Sequence, residues 1–451
     1  MKKLCLLTLA LVSVYCMTSC TEEKGVTNLP RIPFKEYLNH TDKISIGTDE
    51  IKHIEYVPLE LTDDDASLVG HIQDLALTED HIYVLTLEEF KVFQFDRQGK
   101  YIRTITRQGN GPGELQSVGR TIWTDEAGHE IYISNGEGIQ VFSAEGKFKR
   151  QIKRAERMVS YAYGKGLDWV TEIATEYAPI DRPYFFGIAT FRYNADSSCD
   201  TLQLKKDFGD TSVVPLSKTI FLNGRFMDCA EGYRYNVACN DTLFTISPKG
   251  ISPFLLLDRG PSSDIVKEYY FTFKNDVHKE MIYLQHACET PRYIYFRFFY
   301  NEEFYVLSYE KDTQRILCNK TKFTFQNMKD FDTFMTCPGI ENEVNGGLPI
   351  WFMHWNPKTN IAVQATSGAT IAWMKEEGMI KNLPDCLKDY PEDGNPVVAV
   401  YHFKEKASSI QCQKLELKVP ANGTKSSIRR KNSSTWWNCP KHIVMYPIHC
   451  H

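Results

Sequence analysis

Residues 82–105 read IYVLTLEEFKVFQFDRQGKYIRTI, and residues 131–152 read IYISNGEGIQVFSAEGKFKRQI. Phe95, Gly99, Lys100 and Ile105 recur as Phe142, Gly146, Lys147 and Ile152, each displaced by 47 residues. Ile82 and Tyr83 recur as Ile131 and Tyr132, displaced by 49, so one loop differs in length by two residues. Each copy reads as strand, turn, strand, turn, strand. Ile82 to Leu85 is a short apolar run, Val92 to Phe95 is a second, and Lys100 to Thr106 is a third with partial alternation. Asp96-Arg97-Gln98-Gly99 is a tight turn, where glycine takes positive φ without a Cβ penalty. A period of this length, filled with short strands, marks a β-propeller blade, which buries both faces only by stacking on neighbours.

Weaker copies follow. Leu243 to Gly250 repeats the second strand and its turn, and Phe304 to Ile316 does so again with Thr313 in the glycine position. Residues 160–206 and 344–375 are rich in strand formers but divergent. The expected architecture is all-β, a six-bladed β-propeller with blades near 69–105, 118–152, 160–206, 218–258, 283–321 and 344–375. Ile51 to Leu61 and Val397 to Lys404 both read as strands and lie outside these units. The reading places these N- and C-terminal strands in one blade, closing the ring and covering sheet edges that would otherwise pair with other chains.

The chain begins MKKLCLLTLALVSVYCMTSC. Lys2 and Lys3 precede an apolar stretch of signal-peptide length, shorter than a membrane-spanning helix. Met17-Thr18-Ser19-Cys20 resembles a lipobox, so Cys20 is the expected lipidation site. The resulting organisation is a lipoprotein signal peptide over 1–19, a lipidated polar tether over 20–41, a propeller over 42–406 and a basic tail over 407–451. Pro30 and Pro33 argue against a regular element in the tether. The tail holds seven Lys or Arg against one Glu and lacks the strand rhythm. Its Cys439, His442, His449, Cys450 and His451 are soft ligand types, but an unstructured tail does not converge them.

Loss of residues 1–19 removes two lysines and no carboxylate, so net charge moves from −5 to −7. This acidic balance excludes nucleic acid as the expected partner. Abundant aromatic residues (26 Phe, 24 Tyr and 7 Trp) favour strands over disorder. Of thirteen cysteines, Cys5 and Cys16 leave with the signal and Cys20 carries lipid, so ten remain. They form no C-x-x-C pair, and most are expected to be small buried apolar residues.

Four segments carry a family resemblance. These are Tyr56-Val57-Pro58-Leu59-Glu60, the loop Arg107-Gln108-Gly109-Asn110-Gly111-Pro112-Gly113-Glu114, Asn240-Asp241-Thr242-Leu243-Phe244, and Asn395-Pro396-Val397-Val398. Together they span about 42–406 and resemble the six-bladed β-propeller lipoproteins of gut Bacteroidetes, distant relatives of NHL-repeat propellers. The resemblance implies fold and location rather than activity. Thr21-Glu22-Glu23-Lys24 resembles the acidic signals that send such lipoproteins to the cell surface. The expected location is therefore the outer membrane, facing outwards, with the periplasmic face as the alternative.

Gly109, Gly111, Gly113 and Glu114 superficially suggest a phosphate loop. No helix is expected just after them, so they read as a structural inter-blade turn, with positive φ looked for at Gly111. No metal-ligand motif or nucleophile elbow is present, and no metal or cofactor is assigned. Arg292 is a candidate carboxylate contact. Trp351 and Trp355 are candidate ligand-binding aromatics, although Trp351, Trp355 and Trp373 also suit packing between blades. The leading function is a non-enzymatic monomer, held to the membrane by lipid, that binds a glycan, a peptide or an envelope partner protein. The alternative is a polysaccharide lyase or hydrolase with its site at the channel mouth. Convergent His, carboxylate and Arg there would mark catalysis, whereas Phe, Tyr and backbone would mark binding.

Overall fold

A computed structural model describes residues 29–405 apart from 88–89, 118–120, 126, 137, 154–157, 177–183, 195, 197, 206–212, 215–225, 237–240, 261–281 and 325–335. Cys20, the Thr21–Lys24 segment and the tail 407–451 lie outside the described residues. The described chain is almost entirely β and folds into many small antiparallel sheets.

Six of these sheets hold four or more strands. The first runs Ile72–Leu77, His81–Thr86, Val92–Asp96, Tyr101–Thr106 in chain order. The second runs Thr121–Thr124, Glu130–Ser134, Gly138–Ser143, Phe148–Lys153. The third comprises Met158–Lys165, Trp169–Glu176, Tyr184–Tyr193 and Cys199–Lys205, with Val213–Val214 added on Tyr184–Tyr193. The fourth comprises Met227–Cys229, Gly232–Asn236, Thr242–Ser247 and Gly250–Asp258. The fifth comprises Tyr283–Glu289, Tyr293–Tyr300, Glu303–Glu310 and Ile316–Thr324. The sixth joins both ends of the described chain: His354–Asn356, Ile361–Thr366 and Val397–Phe403 are followed by Ile51–Pro58, with Val398 opposite Val57 and His402 opposite His53.

Both repeat copies build the same hairpins. Gly99 and Gly146 close their turns at φ of 85° and 74°, values open to glycine at little cost. Strand His81–Thr86 is buried along nearly its whole length, because residues of both parities meet apolar neighbours. Val84 and Phe93 face Val57, Val363 and Val398 of the sixth sheet, while Tyr83, Leu85 and Val92 face Ile122, Ile131 and Phe142 of the second. The same face-to-face burial joins the second sheet to the third through Trp123, Val141, Val170 and Phe191. It joins the fourth to the fifth through Leu243, Leu255, Phe296 and Leu307, and the fifth to the sixth through Tyr295, Val306, Ala399 and Tyr401. Trp169 of the third sheet stacks on Tyr233 of the fourth at 5.3 Å.

Three features depart from the sequence reading. Order does not wait for Asp42: Arg31–Pro33 is a strand, parallel to the edge of the fourth sheet, with Ile32 opposite Leu257. Ile32 and Phe34 are fully buried, and that apolar pair outweighs the turn tendency of the prolines. Pro33 lies at the strand's end, where the missing N–H costs least. The region 344–375 is not all strand either. Ser367 caps the helix Gly368–Glu376 by accepting from the Thr370 N–H at 3.2 Å. Its Ile371, Trp373 and Met374 pack against Phe304, Phe323 and Leu387, so Trp373 is a helical core residue. In the glycine loop, positive φ falls on Gly113, at 81°, and not on Gly111.

That loop is a carboxylate-closed turn. Glu114 Oε2 accepts from the Gly111 N–H at 2.8 Å, and Oε1 accepts from Arg107 Nε at 2.7 Å. The Gly111 N–H and Arg107 together hold the Glu114 carboxyl below the usual range. A Cβ at Gly109 would fall 2.0 Å from Glu114 Oε2, so a side chain there would push the carboxylate off its present contacts. The six described cysteines are unbridged, and Cys229, Cys288, Cys318 and Cys337 are buried.

Two stability measurements test this account. Phe34 meets Phe296 and Phe298 edge-on at 5.9 and 5.0 Å, so Phe34→Ala should cost about 3 kcal/mol or more in urea unfolding. A near-zero cost would mean that residues 29–37 do not belong to the folded body. Gly113→Ala should cost about 1–2 kcal/mol, because it combines positive φ with a Cβ placed 2.9 Å from that of Phe148. An unchanged melting temperature would refute it.

Candidate functional site

The first strands of three sheets bring together side chains that are far apart in sequence. Asp74 lies on Ile72–Leu77, Asp228 on Met227–Cys229 and His354 on His354–Asn356. His354 Nε2 is 2.6 Å from Asp74 Oδ1, and Nδ1 is 3.1 Å from Asp228 Oδ2. Both ring nitrogens therefore donate, which requires the imidazolium form. Burial opposes that charge, but the two aspartates outweigh it and raise the His354 pKa to about 10. The carboxylates have further donors: Asp74 accepts from the N–H groups of Leu75 and Ile122, each at 3.0 Å, and Asp228 from that of Trp355 at 3.3 Å.

This clamp borders a pocket of about 750 Å³, whose walls include Trp123, Asp228, Tyr233, His354 and Trp355. Trp123 is held by a hydrogen bond from Nε1 to the Gly166 carbonyl at 3.0 Å and by stacking on Tyr132 at 5.5 Å. At the rim, Glu55, Arg97 and His402 also line the cavity. Arg97 Nη2 lies 3.5 Å from Glu55 Oε2, and its Nη1 donates to the Thr78 carbonyl at 2.9 Å. The mouth thus combines aromatic walls with His, carboxylate and Arg groups that already pair with one another.

The residues singled out from sequence lie mostly elsewhere. Trp355 reaches the pocket but is itself buried. Trp351 is core: its Nε1 donates to His286 Nδ1 at 2.9 Å, and the Arg297 guanidinium lies 4.6 Å above its ring. Arg292 is bound within the protein, to Glu310 at 2.6 Å with Asp49 at 3.6 Å. Gly111, Gly113 and Glu114 border a separate depression of about 290 Å³ against Gln140, Phe148 and Gln151 of the second sheet, and Gly109 lies outside it. Asp74, Asp228 and His354 escaped sequence reading because 280 and 126 residues separate the histidine from its partners.

The model of a family described as a domain of unknown function, DUF4934, matches residues 29–402. No protein of curated function matches the chain. Among solved structures, a Bacteroides fragilis protein described as exported is similar over 81% of this chain and 98% of its own, at 14% identity and a TM-score of 0.55. The extracellular domain of a Bacteroides thetaiotaomicron protein described as a one-component system is similar over 60% of this chain and 30% of its own, at 11% identity and a TM-score of 0.34.

The clamp makes a pH-dependent prediction. The folded pKa lies above the ordinary histidine value of 6.5, so the stabilisation is complete below about pH 6.5 and fades as pH rises towards about 10. His354→Ala leaves two inward carboxylates without their cation and should cost about 3 kcal/mol near neutral pH. The gap between variant and wild type in urea unfolding should narrow as pH increases. A gap independent of pH would remove the imidazolium charge from the account.

Proposed function

The chain belongs to the DUF4934 family, a domain of unknown function, and from that premise we propose a lipid-anchored, six-bladed β-propeller that binds a polar ligand at its channel mouth without transforming it. The six larger sheets are read as blades, each stacked on the next, with Ile51–Pro58 and Val397–Phe403 closing the ring in the sixth. Cys20 is the lipidation site, and the outward face of the outer membrane is the proposed location. The similarity to a protein described as exported is in keeping with that address. Among the described residues no helix is long and apolar enough to cross a membrane.

The observation that carries the binding reading is the locked His354. A general base needs a free lone pair, and both nitrogens of this imidazole donate to aspartates. Asp74 and Asp228 are likewise committed to the imidazolium and to backbone N–H groups, so the clamp is a rigid floor rather than an acid–base pair. Above it, aromatic walls and polar backbone offer a concave surface of sugar or short-peptide size. The ligand is a glycan, a peptide or an exposed segment of an envelope partner.

Ala127 is exposed on the pocket wall, so Ala127→Trp should obstruct the mouth without disturbing the core. Affinity electrophoresis against a panel of purified polysaccharides should show retardation of the wild type, weaker retardation of the variant and no new reducing or unsaturated ends. Release of such ends by the wild type but not by Ala127→Trp would establish the lyase or hydrolase alternative. No retardation by any polysaccharide would transfer the reading to a peptide or protein ligand.

A further inference from the structure

His53, Glu55 and His402 place three metal-ligating atoms within 4.8 Å of one another at the rim of the pocket. The strand register assembles them. His53 and Glu55 are two residues apart on Ile51–Pro58 and so share a face, while His402 is the cross-strand partner of His53 on Val397–Phe403. The two imidazoles stack at 3.9 Å with 13° between their planes, so the exposed His53 ring must turn about its side-chain torsions for both in-plane lone pairs to reach one ion. Glu55 Oε1 is 3.3 Å from His53 Nε2 and 2.8 Å from His402 Nε2.

His402 Nε2 is shut off from solvent and lies 2.8 Å from Glu55 Oε1. That nitrogen and the carboxylate oxygen are both ligand atoms, and an ion shared between them would compensate the desolvation of each. Ligand atoms about 2.0–2.2 Å from a tetrahedral ion lie roughly 3.3 Å from each other; Glu55 Oε1 stands at that separation from His53 Nε2 and closer, at 2.8 Å, to His402 Nε2. Arg97 approaches only the other oxygen, Oε2, and leaves Oε1 to face the imidazoles.

We propose that His53, Glu55 and His402 bind a divalent transition-metal ion of the zinc class, with its remaining position turned towards the pocket that Glu55 and His402 line. Two imidazoles and one carboxylate are a borderline-soft donor set, suited to zinc or cobalt and poorly suited to calcium or magnesium. Three protein ligands leave one tetrahedral position for water or for a donor atom of a pocket ligand. The ion would also clip together two strands that stand at opposite ends of the described chain. It extends the binding reading but does not rest on it, since the three ligands converge whatever the pocket holds.

Cobalt(II) titration of the chelator-treated full-length protein, followed by visible absorption, tests the site. A 1:1 tetrahedral spectrum without a thiolate charge-transfer band is expected, and zinc should displace it whereas calcium and magnesium should not. His53→Ala removes an exposed side chain and should leave folding intact by circular dichroism. It should weaken cobalt binding by more than the roughly 10–100-fold that loss of a supporting partner costs, and Glu55→Gln should do likewise. Equal affinity in wild type and both variants, a spectrum dominated by thiolate ligation from the cysteine-bearing tail, or no binding at micromolar cobalt would each overturn the assignment.

Discussion

Every larger sheet in this protein has two apolar faces and only four or five strands. Such a sheet cannot exist in water by itself: if strand His81–Thr86 stood alone, it would expose Tyr83 and Leu85 on one side and Ile82 and Val84 on the other. Stability therefore resides between sheets rather than within them, in aromatic and branched side chains that interdigitate face to face. The turns, caps and edges serve that stacking. Glu114 ties the chain into a tight corner between the first two sheets, and the Ser367-capped helix covers Phe304 and Phe323 of the fifth.

Where the first strands of three sheets meet, the logic changes from apolar to ionic. Those strands contribute Asp74, Asp228 and His354. Apolar packing is non-directional and tolerates small slips between sheets. Hydrogen bonds from both nitrogens of one imidazole to two aspartates do not, so the clamp fixes the spacing of three sheets about one point. The pocket beside it shares that fixed boundary, since Asp228 and His354 form part of its wall.

The strand rhythm was legible because its signals are local. Gly99 and Gly146 mark equivalent turns, and apolar runs of strand length flank them. Val397 to Lys404 and Ile51 to Leu61 were identifiable as strands for the same reason. Arg31–Pro33 was missed because two prolines in a polar stretch resemble a linker, and only the parallel partner Leu256–Asp258 reveals that Ile32 has somewhere to bury. The helix Gly368–Glu376 was missed because Trp373 and its apolar neighbours suit a strand equally well over so short a span. The pocket was least legible of all. Its defining residues come from strands hundreds of positions apart, and an isolated Asp74 or His354 carries no sign of its partner. Trp351 and Arg292 drew notice as residue types suited to recognition, yet each is occupied by internal contacts.

The unbridged cysteines have a consequence for the life of the chain before it folds. Burial pushes the thiols of Cys229 and Cys318 up to about 12, and that of Cys288 higher still. The thiolate is the form that attacks disulfides and oxidants, so the folded protein is chemically quiet at these positions. The nascent chain has no such protection. Its thiols ionise at ordinary values, and any wrong crosslink would have to be undone before sheets separated by a hundred residues or more could stack. Rapid burial is then a safeguard against oxidants as well as a source of stability: collapse of the fourth and fifth sheets onto their neighbours withdraws the sulfurs of Cys229, Cys288 and Cys318, and a variant that slowed this step would accumulate covalent errors even if its final stability were unchanged.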